Sequence, residues 1–280
     1  MAGTLSIECL TAAGAFLVDE SRYGRRAFGV PAGGPADPRA AGAANALLGQ
    51  PAGSPTLEIT LTGGRWLLSG RGQFVLTGAD ITWRGNGRVL ETYYVHDLDG
   101  DMLLVGGGAG AGVRTYLAVN GQWDLTPNDH FERRSGRITP GWQTTISWTR
   151  EAPFRSSLNV YQHLPPANFQ LPVIPGPEWG WLTLKQQQAL LGAEYTVSPN
   201  SSRQGLRLNG GAPHNGLPAM ISSPVLSGTL QLSPEQLLLL GPEAQTLGGY
   251  PRVLLAADPD ALATAFQLRA KARLSLRLVD

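Results

Sequence analysis

Carboxylate, guanidinium and amide side chains set in glycine-rich loops are the groups through which this sequence could do chemistry. Asp37 lies between Gly33-Gly34 and Pro38, where a carboxylate caps a helix and can also face a ligand. Glu58 sits on the polar side of PTLEITLTGG (55–64), either as a solvated strand residue or as a carboxylate at a barrel mouth. Arg203 and Arg207 fall in VSPNSSRQGLRLNGG; Arg203, in the Ser-rich turn, is the better anion binder, while Arg207 suits a surface cation. Gln245 and Thr246 in AQTLGGYP precede Gly248-Gly249, a pair that lets backbone amides approach a ligand or simply closes a hairpin. Such groups offer charge-assisted hydrogen bonds, proton positioning and neutral donors for an oxyanion.

Other chemistries find little support. Cys9 is the only cysteine, so the chain holds no internal disulfide, thiolate cluster or CxxC pair, which fits a reducing compartment. His96, His130, His163 and His214 are isolated and form no HxxxH or HExxH pair, so no metal site is expected. The stretch 96–101 mimics a calcium loop, but its glycine is misplaced and no bidentate Glu follows, so it reads as a turn. The run Gly106–Gly112 leads into a strand and matches neither GxGxxG nor a Walker loop, which makes it a flexible hairpin turn. No GxSxG elbow is present.

The elements that must carry these residues are mostly strands. In 55–64, Leu57, Ile59 and Leu61 alternate with Glu58 and Thr60, a period of two. Similar patterns predict strands at 74–78, 92–96, 102–106, 113–120 and 143–149, with 92–106 forming a hairpin closed by Asp99-Gly100. Pro165, Pro166, Pro172, Pro175 and Pro177 then predict an irregular connector. The domain boundary is placed at its start, giving domains 1–160 and 161–280. A second strand set is predicted at 194–198, 205–208, 219–222, 229–232, 236–240, 252–256 and in ARLSLRLV. Helices are few: one from Pro38, capped by Asp37 and stopped at Gly49, one over 183–191, and one opened by Asp258-Pro259. Many strands with scattered short helices predict closed or semi-closed barrels, which remove exposed edges.

Composition bounds the partners. Twenty-two basic and 21 acidic residues give a formal charge of +1, too weak a field to gather nucleic acid or an anionic membrane. Only Lys185 and Lys271 are lysines against 20 arginines, which disfavours Schiff-base chemistry and leaves Arg-based anion recognition open. The N-terminus has no basic region followed by a long apolar core, and no stretch approaches about 18 continuous apolar residues, so a cytoplasmic protein that does not span a membrane is expected.

Several segments together resemble the KipA family, also called the allophanate hydrolase subunit 2 or biotin-dependent carboxyltransferase family. They are Gly29-Val30-Pro31 with Gly34 and Asp37, ANALLG (44–49), LEITLTG (57–63), LTGAD (76–80) and YLAVNG (116–121). The second half contributes PGPE (175–178), YTVSPNSSRQGLRLNG (195–210), SSPVLSGTLQ (222–231) and AQTLGGYP (244–251). The resemblance implies two cyclophilin-like β-barrels and a subunit that works with a KipI-like (PxpB-like) partner. In 5-oxoprolinase, whose PxpC component is a member, a PxpA-like subunit joins them and ATP drives opening of 5-oxoproline to glutamate. It implies anion binding by Arg22 and Arg203, proton or N–H positioning by Asp37 or Glu58, and donors from Gln245, Thr246 and the Gly248-Gly249 backbone. ATP is then shared with, or held by, the partner subunit.

The resemblance also admits a carboxyltransferase acting on a urea-like amide, or a non-catalytic protein that binds a KipI-like kinase inhibitor. The chain departs from the family pattern at several places. AFLVDESR keeps Asp19 and Arg22 but has Val18 and Ser21 at polar and glycine positions. Ser202 replaces an acid before Arg203, Glu243 and Leu247 alter the stretch around Gln245, and the loop after YLAVNG is shortened.

Overall fold

The computed structural model describes residues 2–125, 137–149, 162–211, 217 and 220–279. The expected boundary near 160, His130, His214 and much of the shortened stretch after YLAVNG lie outside the described residues. The chain divides into two compact units, Met1–Glu20 with Asp37–Leu164, and Ser21–Ala36 with Pro165–Asp280. The mainly β architecture in two strand sets expected from the sequence is what the structure shows. Among the described residues, no helix is long and apolar enough to cross a membrane.

The first unit contains β1 (Ala2–Thr11), β2 (Ala15–Val18), α1 (Pro38–Leu47), β3 (Thr56–Thr60), β4 (Thr62–Gly78), β5 (Ile81–Gly85) and β6 (Arg88–Leu90). It continues with β7 (Val95–Ala109), β8 (Arg114–Val119), β9 (Gln122–Trp123), β10 (Arg137–Ile138) and β11 (Gln143–Thr149). Its sheet runs β10-β2-β3-β8-β4-β1-β11-β9, with β7 paired to β4 and β5, and β6 to β5. Alternating residues such as Ile7, Leu57, Ile59, Trp66, Leu76 and Leu117 fill the main core. On the opposite face of β4 and β8, Val75 and Ala118 pack against Ala44, Leu47 and Leu48 of α1. Both faces of these two strands are therefore buried, and polar side chains under α1 are cut off from water.

The hairpin expected at Asp99-Gly100 does not form. β7 is one continuous strand that pairs with β4 from Thr62↔Gly108 to Val75↔Val95. Gly100 lies opposite Gly70, and both have positive φ (98° and 105°), so paired glycines bend a long ribbon instead of reversing it. Asp99 pairs across the ribbon with Arg71 at 2.9 Å. The glycine run also differs from a simple flexible turn, since Gly106–Ala109 belong to β7. A Cβ on Gly106 would overlap the backbone of Gly63 and lie 2.9 Å from the Trp83 ring, so this glycine serves close approach of β4 and β7.

The second unit contains β12 (Asn168–Pro175), α2 (Leu184–Gly192), β13 (Glu194–Val197), β14 (Gly205–Asn209), β15 (Ser223–Pro224) and β16 (Thr229–Leu232). β17 (Leu237–Leu240), β18 (Leu247–Gly248), β19 (Arg252–Ala256), α3 (Pro259–Ala265) and β20 (Arg273–Leu278) complete it. β12-β19-β16-β17-β14-β13-β20 close into a barrel, and β15 pairs with β18 as a separate two-stranded sheet. β17 is four leucines: Leu237 and Leu239 join the barrel core, while Leu240 and half-buried Leu238 pack with Val225 and Ala244. The β15–β18 region therefore covers the outer face of β17.

β12 corrects the expected irregular connector. Phe169, Leu171 and Val173 alternate inward beside Pro172 and Pro175, and the strand runs parallel to β20. Pro172 lacks a donor but still uses its carbonyl, which accepts from Ala257 N at 2.9 Å. The strand expected at 219–222 is displaced: residues 218 and 219 are outside the described set, and pairing begins at Ser223. All three helices carry the expected caps, with Asp37, Thr183 and Asp258 accepting from backbone N–H groups.

The contrast between two neighbouring glycines is testable. Gly106→Ala is expected to destabilise the protein by about 1–3 kcal/mol through overpacking, read as a lower urea midpoint. Gly108→Ala, with nothing within 4 Å of its added Cβ, is expected to change stability by less than about 0.5 kcal/mol.

Candidate functional site

In the first unit the polar residues form one buried row. Glu58 on β3 faces Tyr116 on β8, and Thr77 on β4 faces Tyr116 from the other side. Arg114, two residues before Tyr116, lies on the same face by strand alternation. Tyr116 Oη donates to Glu58 Oε2 at 2.9 Å and accepts from Asp37 N at 2.8 Å. Arg114 Nε lies 3.3 Å from Glu58 Oε1. Burial, followed by the nearby Glu58 charge, pushes the Tyr116 hydroxyl well above its ordinary range, so it stays protonated and donates.

Asp37 completes this row from the start of α1. Its Oδ1 accepts from Ala40 N at 3.4 Å and from Arg39 Nε at 3.1 Å, satisfying the helix end. Glu58 is completely buried, which excludes the reading of it as a solvated strand residue. Asp19, half-buried, follows β2 in the same unit.

The second unit gathers the remaining expected residues around segment 21–36. Arg203, almost fully buried, donates through Nη2 to Gly34 O at 2.7 Å and through Nε to Glu243 Oε1 at 3.0 Å. Gly33 N donates to Pro242 O at 2.9 Å, and Arg22 N to Ala32 O at 2.6 Å. The Arg22 guanidinium packs over Gly33, where a Cβ would overlap it. Arg26 donates to the carbonyls of Val225, Gln245 (3.2 Å) and Thr246 (3.5 Å). Its partial burial lowers its pKa.

Gln245, exposed, and Thr246, half-buried, therefore sit on a loop whose backbone is held by Arg26. The Gln245 side chain donates to Gln231 Oε1 at 3.1 Å, and Gln231 Nε2 donates to Tyr250 O at 3.0 Å. Gly248 is buried against Gln231, while Gly249 is exposed. Arg252 braces the neighbouring loop: Nη1 donates to Pro224 O at 2.8 Å, and Nη2 pairs with Glu178 Oε1 at 2.6 Å.

The structure thus brings Asp37 to Glu58 in one unit, and Arg22, Arg203 and the Gln245–Gly249 loop together in the other. Sequence reasoning missed Arg26, Arg114, Tyr116 and Gln231 as members of these networks, and gave Glu243 no partner. Alternation placed Arg114 and Tyr116 on one face, but their pairing with Glu58 depends on a register that no local pattern encodes. Among the described residues, no group of three or more His, Cys, Asp or Glu side chains is placed to hold a metal ion.

Residues 28–278 match the family model described as carboxyltransferase domain, subdomain A and B. The chain is 33% identical over 196 residues to a putative urea carboxylase of Emericella nidulans, covering 64% of this chain and 16% of that protein. It is 28% identical over 253 residues to the C subunit of Escherichia coli 5-oxoprolinase, covering 86% of this chain and 81% of the relative. The corresponding Haemophilus influenzae protein is 26% identical over 258 residues, with coverage of 88% and 82%. The crystal structure of TTHA0988 matches with a TM-score of 0.83 at 24% identity, over 98% of this chain and 56% of that one. Kluyveromyces lactis urea carboxylase matches with a TM-score of 0.83 at 20% identity, over 98% and 27%. These two structural likenesses establish the fold.

Two substitutions probe the networks. Tyr116→Phe strands the Asp37 N–H and one Glu58 oxygen, and is expected to cost about 1–3 kcal/mol in a urea melt. Hydrogen bonds from Arg252 hold the Glu178 carboxyl below its ordinary range. Its stabilisation is therefore present above the ordinary carboxylate pKa and lost as pH falls through the depressed folded value. Glu178→Gln is expected to lower the urea midpoint at neutral pH and to lose less than the parent on acidification. An equal acid loss in both proteins would remove this assignment.

Proposed function

The chain belongs to the family of carboxyltransferase domains, subdomains A and B, and from that premise we propose that it is a subunit of an ATP-dependent 5-oxoprolinase. The observation that carries this reading is length. The two 5-oxoprolinase relatives match over 81–82% of their own sequence, whereas the chain spans only 16% of the fungal urea carboxylase. The partners in this reading are a KipI-like (PxpB-like) subunit and a PxpA-like subunit, in the cytoplasm. ATP is a substrate of the complex, placed with the partner because Gly106–Ala109 of the glycine run lie in a strand and open no helix.

A lactam is a stable amide with a poor leaving group. Transfer of the γ-phosphoryl group of ATP to its carbonyl oxygen releases ADP and makes the carbon electrophilic. Water adds there, the C–N bond breaks as nitrogen takes a proton, and phosphate departs to leave glutamate. Catalysis of such steps rests on positioning and on stabilising charge at the carbonyl oxygen.

In this chain, Arg22 offers a cation for the substrate carboxylate or phosphate. Gln245, the Thr246 hydroxyl and the Gly248-Gly249 backbone offer neutral hydrogen-bonding groups beside it. Arg203 acts as a positioning residue, since its bonds to Gly34 and Glu243 tie segment 21–36 to the loop that leads to Gln245. Asp37 and Glu58 hold α1 on the strands of the first unit, and Asp19 leads the chain into segment 21–36.

A second reading, carboxyl transfer from carboxybiotin to a urea-like amide, is favoured by the 33% identity to the putative urea carboxylase. The two separate in one assay. This chain is combined with the KipI-like and PxpA-like proteins of its own genome, and ATP hydrolysis dependent on 5-oxoproline is measured. Activity that needs all three proteins and falls at least about tenfold with Arg203→Ala is expected. Activity indifferent to this chain, or dependent on a biotinylated carrier, overturns the oxoprolinase reading.

A further inference from the structure

Gln245 is exposed, yet its amide orientation is determined by buried chemistry. The chain of bonds begins at the Tyr250 carbonyl, which can only accept. Gln231, fully buried on β16 of the closed barrel, must therefore turn Nε2 toward it, at 3.0 Å. That turns Gln231 Oε1 toward Gln245, which must answer with an N–H, at 3.1 Å. One Gln245 N–H is thus committed, while its Oε1 and second N–H are left to face outward. The Gln245 backbone is fixed at the same time by Arg26 on its carbonyl, at 3.2 Å.

Gly248 belongs to the same device. A Cβ there would overlap Gln231 Nε2, so the glycine makes room for the buried amide. This differs from the role expected from sequence, in which the Gly-Gly pair brings backbone amides to a ligand.

We propose that Gln231 is a positioning residue that fixes the amide of Gln245 as a recognition edge for a cis-amide. An acceptor and a donor on one small planar edge are complementary to a group carrying N–H and C=O on the same side. Lactams are locked in that arrangement by their ring, and cyclic ureas share it. Gln245 Oε1 then accepts from the substrate N–H while its free N–H donates to the substrate carbonyl. This deepens the lactam-opening reading and rests on it for the identity of the substrate, though not for the recognition chemistry.

The test measures binding by saturation-transfer NMR on the full chain with three probes: 2-pyrrolidinone, 2-imidazolidinone and N-methyl-2-pyrrolidinone. Binding of 2-pyrrolidinone about tenfold tighter than its N-methyl analogue is expected, the worth of about one hydrogen bond. The 2-imidazolidinone arm ranks a urea against a lactam. Gln245→Leu, at an exposed position, is expected to abolish the preference for the N–H form. Gln231→Leu is expected to do the same, although it never touches the probe, with circular dichroism confirming that the chain is folded.

Equal binding of the N–H and N-methyl forms, no binding of any probe, or an unchanged preference in Gln245→Leu overturns the proposal. If Gln231→Leu fails to fold, Gly248→Ala displaces the same amide and must reduce the preference. An intact preference in a chain that supports no 5-oxoproline-dependent ATP hydrolysis removes the oxoprolinase reading and leaves the amide edge standing. Lost preference with activity retained removes only the edge.

Discussion

Arginine side chains bonded to backbone carbonyls hold the irregular parts of the second unit. A loop residue outside a strand ladder leaves its carbonyl without a partner, and burying such a group unpaired is costly. Arg203 answers Gly34, Arg26 answers Val225, Gln245 and Thr246, and Arg252 answers Pro224. A guanidinium suits this work because it carries five donors in a fixed plane and can satisfy several acceptors at once. The excess of arginine over lysine, 20 to two, reads differently in this light. At least part of it is architectural, and conversion of these arginines to lysine would not conserve their function.

The first unit solves the same problem without loops. Glu58, Tyr116 and Thr77 stand side by side across three strands, covered by α1, and their polar groups are answered across the sheet or on the helix. Thr77 Oγ1 donates to Ala40 O at 2.7 Å, and Thr115 Oγ1 to Thr77 O at 2.7 Å. A row of this kind specifies which helix face and which strand register are allowed, because any slip leaves a buried charge unanswered.

Signals in the sequence are legible where they act locally. Asp37-Pro38, Thr183 and Asp258-Pro259 announce helices because a cap needs only the residues next to it, and alternation reveals strands such as β3 and β20. Signals mislead where a partner decides the outcome. Asp99-Gly100 looks like a turn, but Gly70 opposite makes it a bend in a ribbon. Pro172 and Pro175 look like breakers, but the parallel partner β20 tolerates a missing donor. At the candidate site, the types of Arg203, Gln245 and Glu58 are legible. Their partners, Glu243, Gln231 and Tyr116, are not, because those contacts join residues 14 to 58 positions apart.

Segment 21–36 groups with the second unit, although the first unit occupies the chain on both sides of it. On a ribosome the segment emerges well before the strands of the barrel it belongs to, and it must wait unattached while more than a hundred residues are made. A segment anchored by a greasy face would be hazardous in that interval, since exposed apolar surface invites aggregation. This one is suited to waiting. Its large apolar side chains, Tyr23 and Phe28, stay in solvent even in the finished fold, and what docks it is small residues and arginine hydrogen bonds. Those groups are content in water until their carbonyl partners arrive, so the order of synthesis and the chemistry of attachment agree.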